Sequence, residues 1–378
     1  MTPALPLVDR VDGETRIVLG PGTSDSIHAY LDELGARRAY VVTGPTLDAG
    51  PVGHRLRGAL GAMLVGTYAS SEPHVPTSTA DVVASEARRL EADVLVGVGG
   101  GSPIGTAKAA AFRLGTSERG EDAANCYVAA VPTTYAGSEV TPVFGTTDVA
   151  RGRKEVLRAV WVRPRLALYD PELAVYTPAA LTAATGMNAL AHCAEGLYSR
   201  AASDDDRARA SVGAKTLVDH LPRCVRNLAD VEERYRMYEG SIDGGLVLAH
   251  AGMALHHAIC HVLGGKYRVS HGELNAIILP HALEFNLPHA EAATRELARV
   301  FGVDRGATEG SSLPEKVARA TSSLVASLGL PTRLRQLRIP RPELPAAAAD
   351  VMASKSLANN PRPIQSSEEV LGILQAAW

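Results

Sequence analysis

The 378-residue chain holds only four cysteines, Cys126, Cys193, Cys224 and Cys260, and none stands at CxxC or zinc-finger spacing. A disulfide framework is therefore not expected, and ordinary thiols of a reducing compartment are. Charge of one sign is also missing, since 38 Lys and Arg stand against 41 Asp and Glu and leave a net charge of -3. No basic field remains to hold a nucleic acid or an anionic membrane surface. No apolar run reaches the length of about eighteen residues that a membrane span needs. The opening MTPALPLVDRVDGETRIVLG lacks a basic segment followed by an apolar one. No export signal is expected, and the cytoplasm is the default location.

What is present reads as a globular protein: 46% hydrophobic and 21% charged residues are enough to bury a large core without staples. At roughly 100–200 residues per domain, the length suggests two domains, or one large one. The first half alternates short apolar runs with helical spacing. Strands are expected at Ala39–Thr43, Ala62–Thr67, Asp93–Val98, Tyr127–Val131 and Leu166–Tyr169. Ser78-Thr79-Ala80-Asp81 matches a capping box opening a helix that runs to about Glu91. This is the pattern of a parallel sheet with crossover helices. From Pro178, placed like a first-turn proline, apolar residues recur at helical spacing instead. The expected fold is α/β, with a Rossmann-like parallel-sheet domain over 1–171 and an all-helical domain over 172–378. Pro340–Ala349 reads as a loop leading into a helix.

Two loops carry the first chemical signal. The strand DVLVGV runs into Gly99-Gly100-Gly101-Ser102 and then a helix beginning near Pro103. Glycines let the backbone approach a ligand closely, and a helix N-terminus turns free N–H groups toward an anion. A pyrophosphate site is expected there, against the plainer reading of a tight βα turn. After the next strand come Thr133, Thr134, Tyr135 and Ser138, at the end of the sheet where open α/β folds bind ligands. Turn chemistry alone would also select such residues.

The second signal is imidazole. Asn188 and His192 share a helix face by their spacing, and so do His257 and His261. His271 follows after the glycine pair Gly264-Gly265, read as a turn. Imidazoles at this spacing bind metals or move protons near neutral pH. A single histidine on an apolar face is usually a hydrogen-bonded core residue, and His256, His250 and His281 are read that way. Clustered imidazoles are costly to bury without a purpose, which favours a site at His257, His261 and His271. Cys260 is read as buried filler.

GGGSPIGTAK, PTTYAGSEVTP, YDPEL, GMNALAHCAE and LHHAICHVLGGKYRVSHGE together resemble the iron-containing alcohol dehydrogenase family, in order and at the right spacing. That resemblance implies a dehydroquinate-synthase-like fold, with a dinucleotide-binding domain followed by a helical one. Most of that family carry an acidic residue at the position of Gly105 and an Asp at that of Asn188. Both changes resemble the maleylacetate reductase branch, as do His74-Val75-Pro76, Leu255-His256-His257 and Asn360-Pro361-Arg362-Pro363. The family's metal-ligand positions fall on Asn188, His192, His257 and His271. An Asn amide and three imidazoles bring no negative charge to a divalent cation, so no metal requirement is expected. Ser270, Gly272, Asn275 and Phe144 depart from the branch at positions expected to lie near the substrate.

The resemblance implies NADH or NADPH as cofactor, a small unsaturated keto acid as substrate, and reduction of its conjugated C=C bond (maleylacetate to 3-oxoadipate). His261, His271 and His192 are the expected acid catalysts. Gly99, Gly100, Gly101, Ser102, Thr133, Thr134, Ser138 and Thr43 are expected at the cofactor, and Tyr135, Asn188, His257 and Lys266 at the substrate. For Lys266 a solvated loop residue is the equal alternative. Neutral Thr43-Gly44-Pro45 selects neither cofactor. A homodimer is the expectation for an unassigned oligomer. Three other functions fit the same pattern: a metal-dependent alcohol or aldehyde dehydrogenase, a dehydroquinate-synthase-like lyase or cyclase, and a non-catalytic cofactor-binding regulator.

Overall fold

The computed structural model describes residues 5–117, 126–148, 153–304 and 311–378. The chain forms two compact units, the first comprising Met1–Thr177 with Leu228–Tyr238 and the second Pro178–Asn227 with Glu239–Trp378. The dividing point lies six residues beyond the expected 171, and a later segment returns to the first unit.

The first unit is built on strands β1 (Val8–Asp12), β2 (Thr15–Leu19), β3 (Ala39–Val42), β4 (Leu64–Tyr68), β5 (Val94–Gly99), β6 (Tyr127–Pro132) and β9 (Leu166–Tyr169). Their order is β1-β2-β9-β6-β5-β3-β4. All neighbours are parallel except the β1–β2 hairpin. Side chains alternate between faces, so Val94, Val96 and Val98 enter one apolar cluster while Leu95 enters the other. The helices Thr77–Arg89 and Gly101–Ser117 cover the second face. A separate hairpin pairs β7 (Val143–Asp148) with β8 (Arg153–Arg158).

The five expected strands are present. Neither hairpin was expected, because VDRVD and RKEVLR carry too much charge to read as apolar runs. The capping box at Ser78 is not formed. The helix starts at Thr77 after Pro76, with no side-chain cap bond, and ends at Arg89. Proline fixes the backbone at the entry without one.

The second unit is helical among the described residues. Its helices include Ala179–Tyr198, Asp204–Arg226, Leu255–Tyr267, His271–Asn286 and Leu313–Ser327. Ser203 and Asp206 form a reciprocal capping box at the start of Asp204–Arg226, satisfying two otherwise orphaned N–H groups. Pro178 is the cap before Ala179 rather than the first helical residue. Gly264 and Gly265 do not turn the chain. They lie inside the helix Leu255–Tyr267, and the break comes at Arg268, which adopts φ 53. Pro340–Ala349, expected as a loop leading into a helix, is itself largely helical, since a short 3-10 turn over Arg341–Glu343 runs into the helix Leu344–Val351. Among the described residues no single helix is long and apolar enough to cross a membrane. The four cysteines are buried and form no disulfide.

Candidate active site

In the first unit the two loops expected to hold a cofactor lie side by side because β5 and β6 are neighbours. Gly99 adopts φ +130, and a Cβ there would stand 2.9 Å from Leu47 Cδ1. Only glycine accepts both conditions. A Cβ on Gly100 would stand 3.3 Å from the Thr134 side chain. The helix then begins at Gly101, so its unsatisfied N–H groups and the positive end of its dipole meet a cradle without side chains. The Thr133 N–H donates to the Gly99 carbonyl at 2.9 Å and stitches the loops together. The Thr134 hydroxyl is buried with no hydrogen-bond partner among the described residues. These features fit a dinucleotide pyrophosphate, which Gly99–Ser102 would hold. Gly105 faces Val75, whose Cγ2 would lie 3.0 Å from an added Cβ, and Val75 itself is held at φ 51. A larger residue at 105 is therefore unwelcome.

Two expected residues of this unit are placed differently from their neighbours. The Thr43 hydroxyl donates to the Val98 carbonyl at 3.0 Å, and the residue is 2% exposed. It ties the ends of β3 and β5 together. Tyr135 is fully buried, and its hydroxyl accepts a hydrogen bond from Arg234 at 3.0 Å. A tyrosine so engaged is a fastening of the loop rather than an open substrate contact. Phe144 packs on Phe112 at 5.5 Å in the apolar cluster, so its departure from the family is a matter of core packing.

In the second unit the helix Ala179–Tyr198 carries Asn188 and His192, Leu255–Tyr267 carries His257 and His261, and His271 opens the next helix. Ser270 caps that helix by accepting from the Glu273 N–H. The structure brings five imidazoles together, with the His256 and His257 ring centroids 4.8 Å apart. Ring centroids are 4.7 Å apart for His192 and His257, 5.9 Å for His257 and His261, 5.8 Å for His257 and His271, and 5.4 Å for His261 and His271. Asn188, His192 and His257 are buried, whereas His261 and His271 are partly exposed. Burial holds His192 well below the ordinary histidine value, with His257 adding to the effect, and it lowers His257 as well. His192 Nδ1 and His257 Nε2 have no hydrogen-bond partner among the described residues, and buried polar atoms of this kind are what a bound ligand or water satisfies. Lys266 is exposed and pairs with Asp350 at 3.2 Å.

Sequence reasoning missed Glu195, which lies one turn after His192. It is fully buried and accepts from His257 Nδ1 at 2.5 Å and from the backbone N–H groups of Ala254 at 3.1 Å and His256 at 3.0 Å. Burial alone would raise its carboxyl, but His257 and the hydrogen bonds hold it well below the usual carboxylate range. The bond fixes the His257 proton on Nδ1 and leaves Nε2 as an acceptor. His256 bonds the Asn275 carbonyl at 3.1 Å, the core role expected of it. Asn360 was also missed. Buried, it exchanges hydrogen bonds with Asn286 at 3.0 and 2.8 Å and accepts from the Leu255 N–H at 3.4 Å, so the Asn-Pro-Arg-Pro tail holds the start of the histidine helix. The hint was a polar residue between apolar segments, with no periodicity to assign it.

The family's metal-ligand positions present an amide and three imidazoles, without an acidic member. Glu195, His256 and His257 do bring candidate ligand atoms within 4.8 Å of one another. The Glu195 oxygens, however, are already engaged by three donors. The donor set is thus a weak match to an iron-type site, which relies on carboxylate charge.

Comparison with known proteins supports the same family from both units. Residues 14–171 match the iron-containing alcohol dehydrogenase model, and residues 182–378 match the C-terminal model of the Fe-containing alcohol dehydrogenase family. Maleylacetate reductase of Burkholderia cepacia is 37% identical over 350 residues, covering 93% of this chain and 92% of that one. The Sphingobium indicum enzyme of the same name is 34% identical, covering 96% and 95%. The crystal structure of maleylacetate reductase from Agrobacterium tumefaciens matches with a TM-score of 0.83 at 31% identity, covering 99% of this chain and 98% of that one.

Proposed function

The chain belongs to the iron-containing alcohol dehydrogenase family, and from that premise we propose that it reduces the conjugated C=C bond of maleylacetate, or a close unsaturated keto acid, without a metal. It is an oxidoreductase of the maleylacetate reductase type. The observation that carries the metal-free reading is the imidazole cluster around His257, with Asn188 one turn before His192 on the same helix and the Glu195 carboxylate already taken by His257 and two backbone N–H groups.

Gly99–Ser102, Thr133, Thr134 and Ser138 would hold NADH or NADPH, and the bound cofactor supplies the hydride that reaches the carbon β to the ketone. Negative charge then grows on the ketone oxygen, and a donor aimed at that oxygen lowers the barrier. Burial keeps His192 neutral at pH 7, so it orients rather than supplies charge. The donor role falls to His261 and His271, which are partly exposed and can regain a proton from water. One of them stabilises the enolate and one protonates the α carbon. His257, held by Glu195, sets the wall against which both rings stand.

The test is oxidation of NADH and of NADPH with freshly generated maleylacetate, using chelator-stripped protein checked for metal. Rapid turnover is expected. Turnover that returns only with a divalent ion would instead place the chain with the metal-dependent dehydrogenases. His261→Ala should lower kcat by about 100-fold or more with little change in cofactor affinity, and an unchanged kcat would remove His261 from the mechanism.

A further inference from the structure

Lys108 lies on the helix Gly101–Ser117, whose first turn forms the phosphate cradle, and it is fully buried. Its ammonium donates to the carbonyls of Ser138, of Thr141 at 2.7 Å and of Val143 at 3.1 Å. The hydroxyls of Ser138 and Thr141 lie at 3.2 and 3.4 Å. An ammonium has three N–H donors, and here three carbonyls of one short loop converge on them. Carbonyl oxygens turned to one point repel each other unless a cation stands between them. Burying an ammonium is costly, and the three accepting carbonyls offset that cost here. Burial pushes Lys108 down to about 7, opposed by Glu139, and pushes the fully buried Glu139 up to about 7.

We propose that Lys108 is a positioning residue for the nicotinamide cofactor, the fixed internal cation around which the Ser138–Val143 loop is wound. The proposal rests on the reading of Gly99–Ser102 and Ser138 as cofactor-binding. It assigns Lys108 no contact with substrate or cofactor. Its ammonium locks the loop bearing Ser138 to the helix bearing the cradle, so that one rigid piece meets both ends of the dinucleotide's phosphate and sugar region.

The experiment titrates NADH into wild-type protein and Lys108→Met, following nicotinamide fluorescence, and compares kcat at saturating NADH. The expected result is a Kd raised about tenfold to a hundredfold, with kcat nearly unchanged. In Lys108→Ala, added ethylammonium should restore cofactor affinity by refilling the cation site. Wild-type Kd in the methionine variant would overturn the proposal. So would an amine that restores the melting temperature of Lys108→Ala without restoring affinity. If the methionine variant does not fold, Lys108→Arg keeps the charge and alters its geometry; a raised Kd there supports the proposal, and an unchanged one overturns it. Wild-type protein that binds neither NADH nor NADPH would sink the underlying cofactor reading, and this proposal with it.

Discussion

Replacing Glu195 by Gln is expected to reverse the tautomer of His257 while leaving the backbone around it in place. One carboxylate oxygen accepts from the Ala254 and His256 N–H groups, and the other takes His257 Nδ1. A glutamine that keeps its oxygen on the two backbone donors puts its NH₂ group against Nδ1. A donor then faces a donor, so the ring proton moves to Nε2. The change exchanges a charge-assisted hydrogen bond for a neutral one, at about 1–2 kcal/mol. That is a modest part of a typical stability of about 5–15 kcal/mol. Activity should fall further, by about 10–100-fold, the usual effect of losing the partner that orients a functional imidazole. Glu195→Ala is a different perturbation. It leaves three buried donors without an acceptor, at about 1–3 kcal/mol each, and the total of about 3–9 kcal/mol would bring the protein near its unfolding threshold. Urea unfolding separates the two variants, kcat with saturating cofactor measures the chemistry, and ¹⁵N spectra of the histidine rings report the tautomer. A glutamine variant with wild-type turnover and a proton moved to His257 Nε2 would refute the link between tautomer and catalysis.

Gly272→Ala should destabilise, although alanine is the better helix former by about 1 kcal/mol. Its Cβ would stand 2.7 Å from the Ala184 carbonyl oxygen, and overpacking of this kind costs about 1–3 kcal/mol; a raised urea midpoint would show that the two helices relax freely. Asp206 gives a pH prediction. Burial alone would raise its carboxyl, but the Ser203 backbone and hydroxyl bonds, with His250 adding, hold it below the ordinary aspartate value. A depressed carboxyl binds fewer protons folded than unfolded, so its stabilisation is present above that value and is lost as pH falls through the lower folded one. Asp206→Asn should therefore flatten the acid limb of melting temperature against pH, and a limb unchanged from wild type would mean that other carboxylates set it.

The parallel sheet was legible because β3, β5, β6 and β9 are apolar on both faces. The hairpins were not, because VDRVD and RKEVLR are mostly charged, and β1 lies at the sheet edge while β7 and β8 form a sheet of their own. The histidine spacing was legible because four residues make one helical turn. Glu195 was hidden by its type, since a glutamate on a helix ordinarily reads as solvated, and only tertiary contact shows three donors around it. Tyr135 was misplaced for the converse reason. A tyrosine in a polar loop reads as accessible to substrate, but a buried arginine ninety-nine residues later in the chain donates to its hydroxyl.

That arginine belongs to the segment Leu228–Tyr238, which is part of the first unit although the chain has by then begun the second. Arg234 donates to the carbonyls of Leu228 at 3.1 Å and Thr177 at 3.0 Å, and Tyr238 donates to the Pro132 carbonyl at 2.7 Å. On the ribosome, then, the sheet domain cannot finish when its last strand emerges. It must wait for Tyr238, about 3–14 s later at roughly 5–20 residues per second, with Pro178–Asn227 already outside. A gene cut after Thr177 would yield a sheet whose loop at Pro132–Tyr135 never receives its fastening, and domain exchange with relatives would have to carry Leu228–Tyr238 along with the N-terminal half.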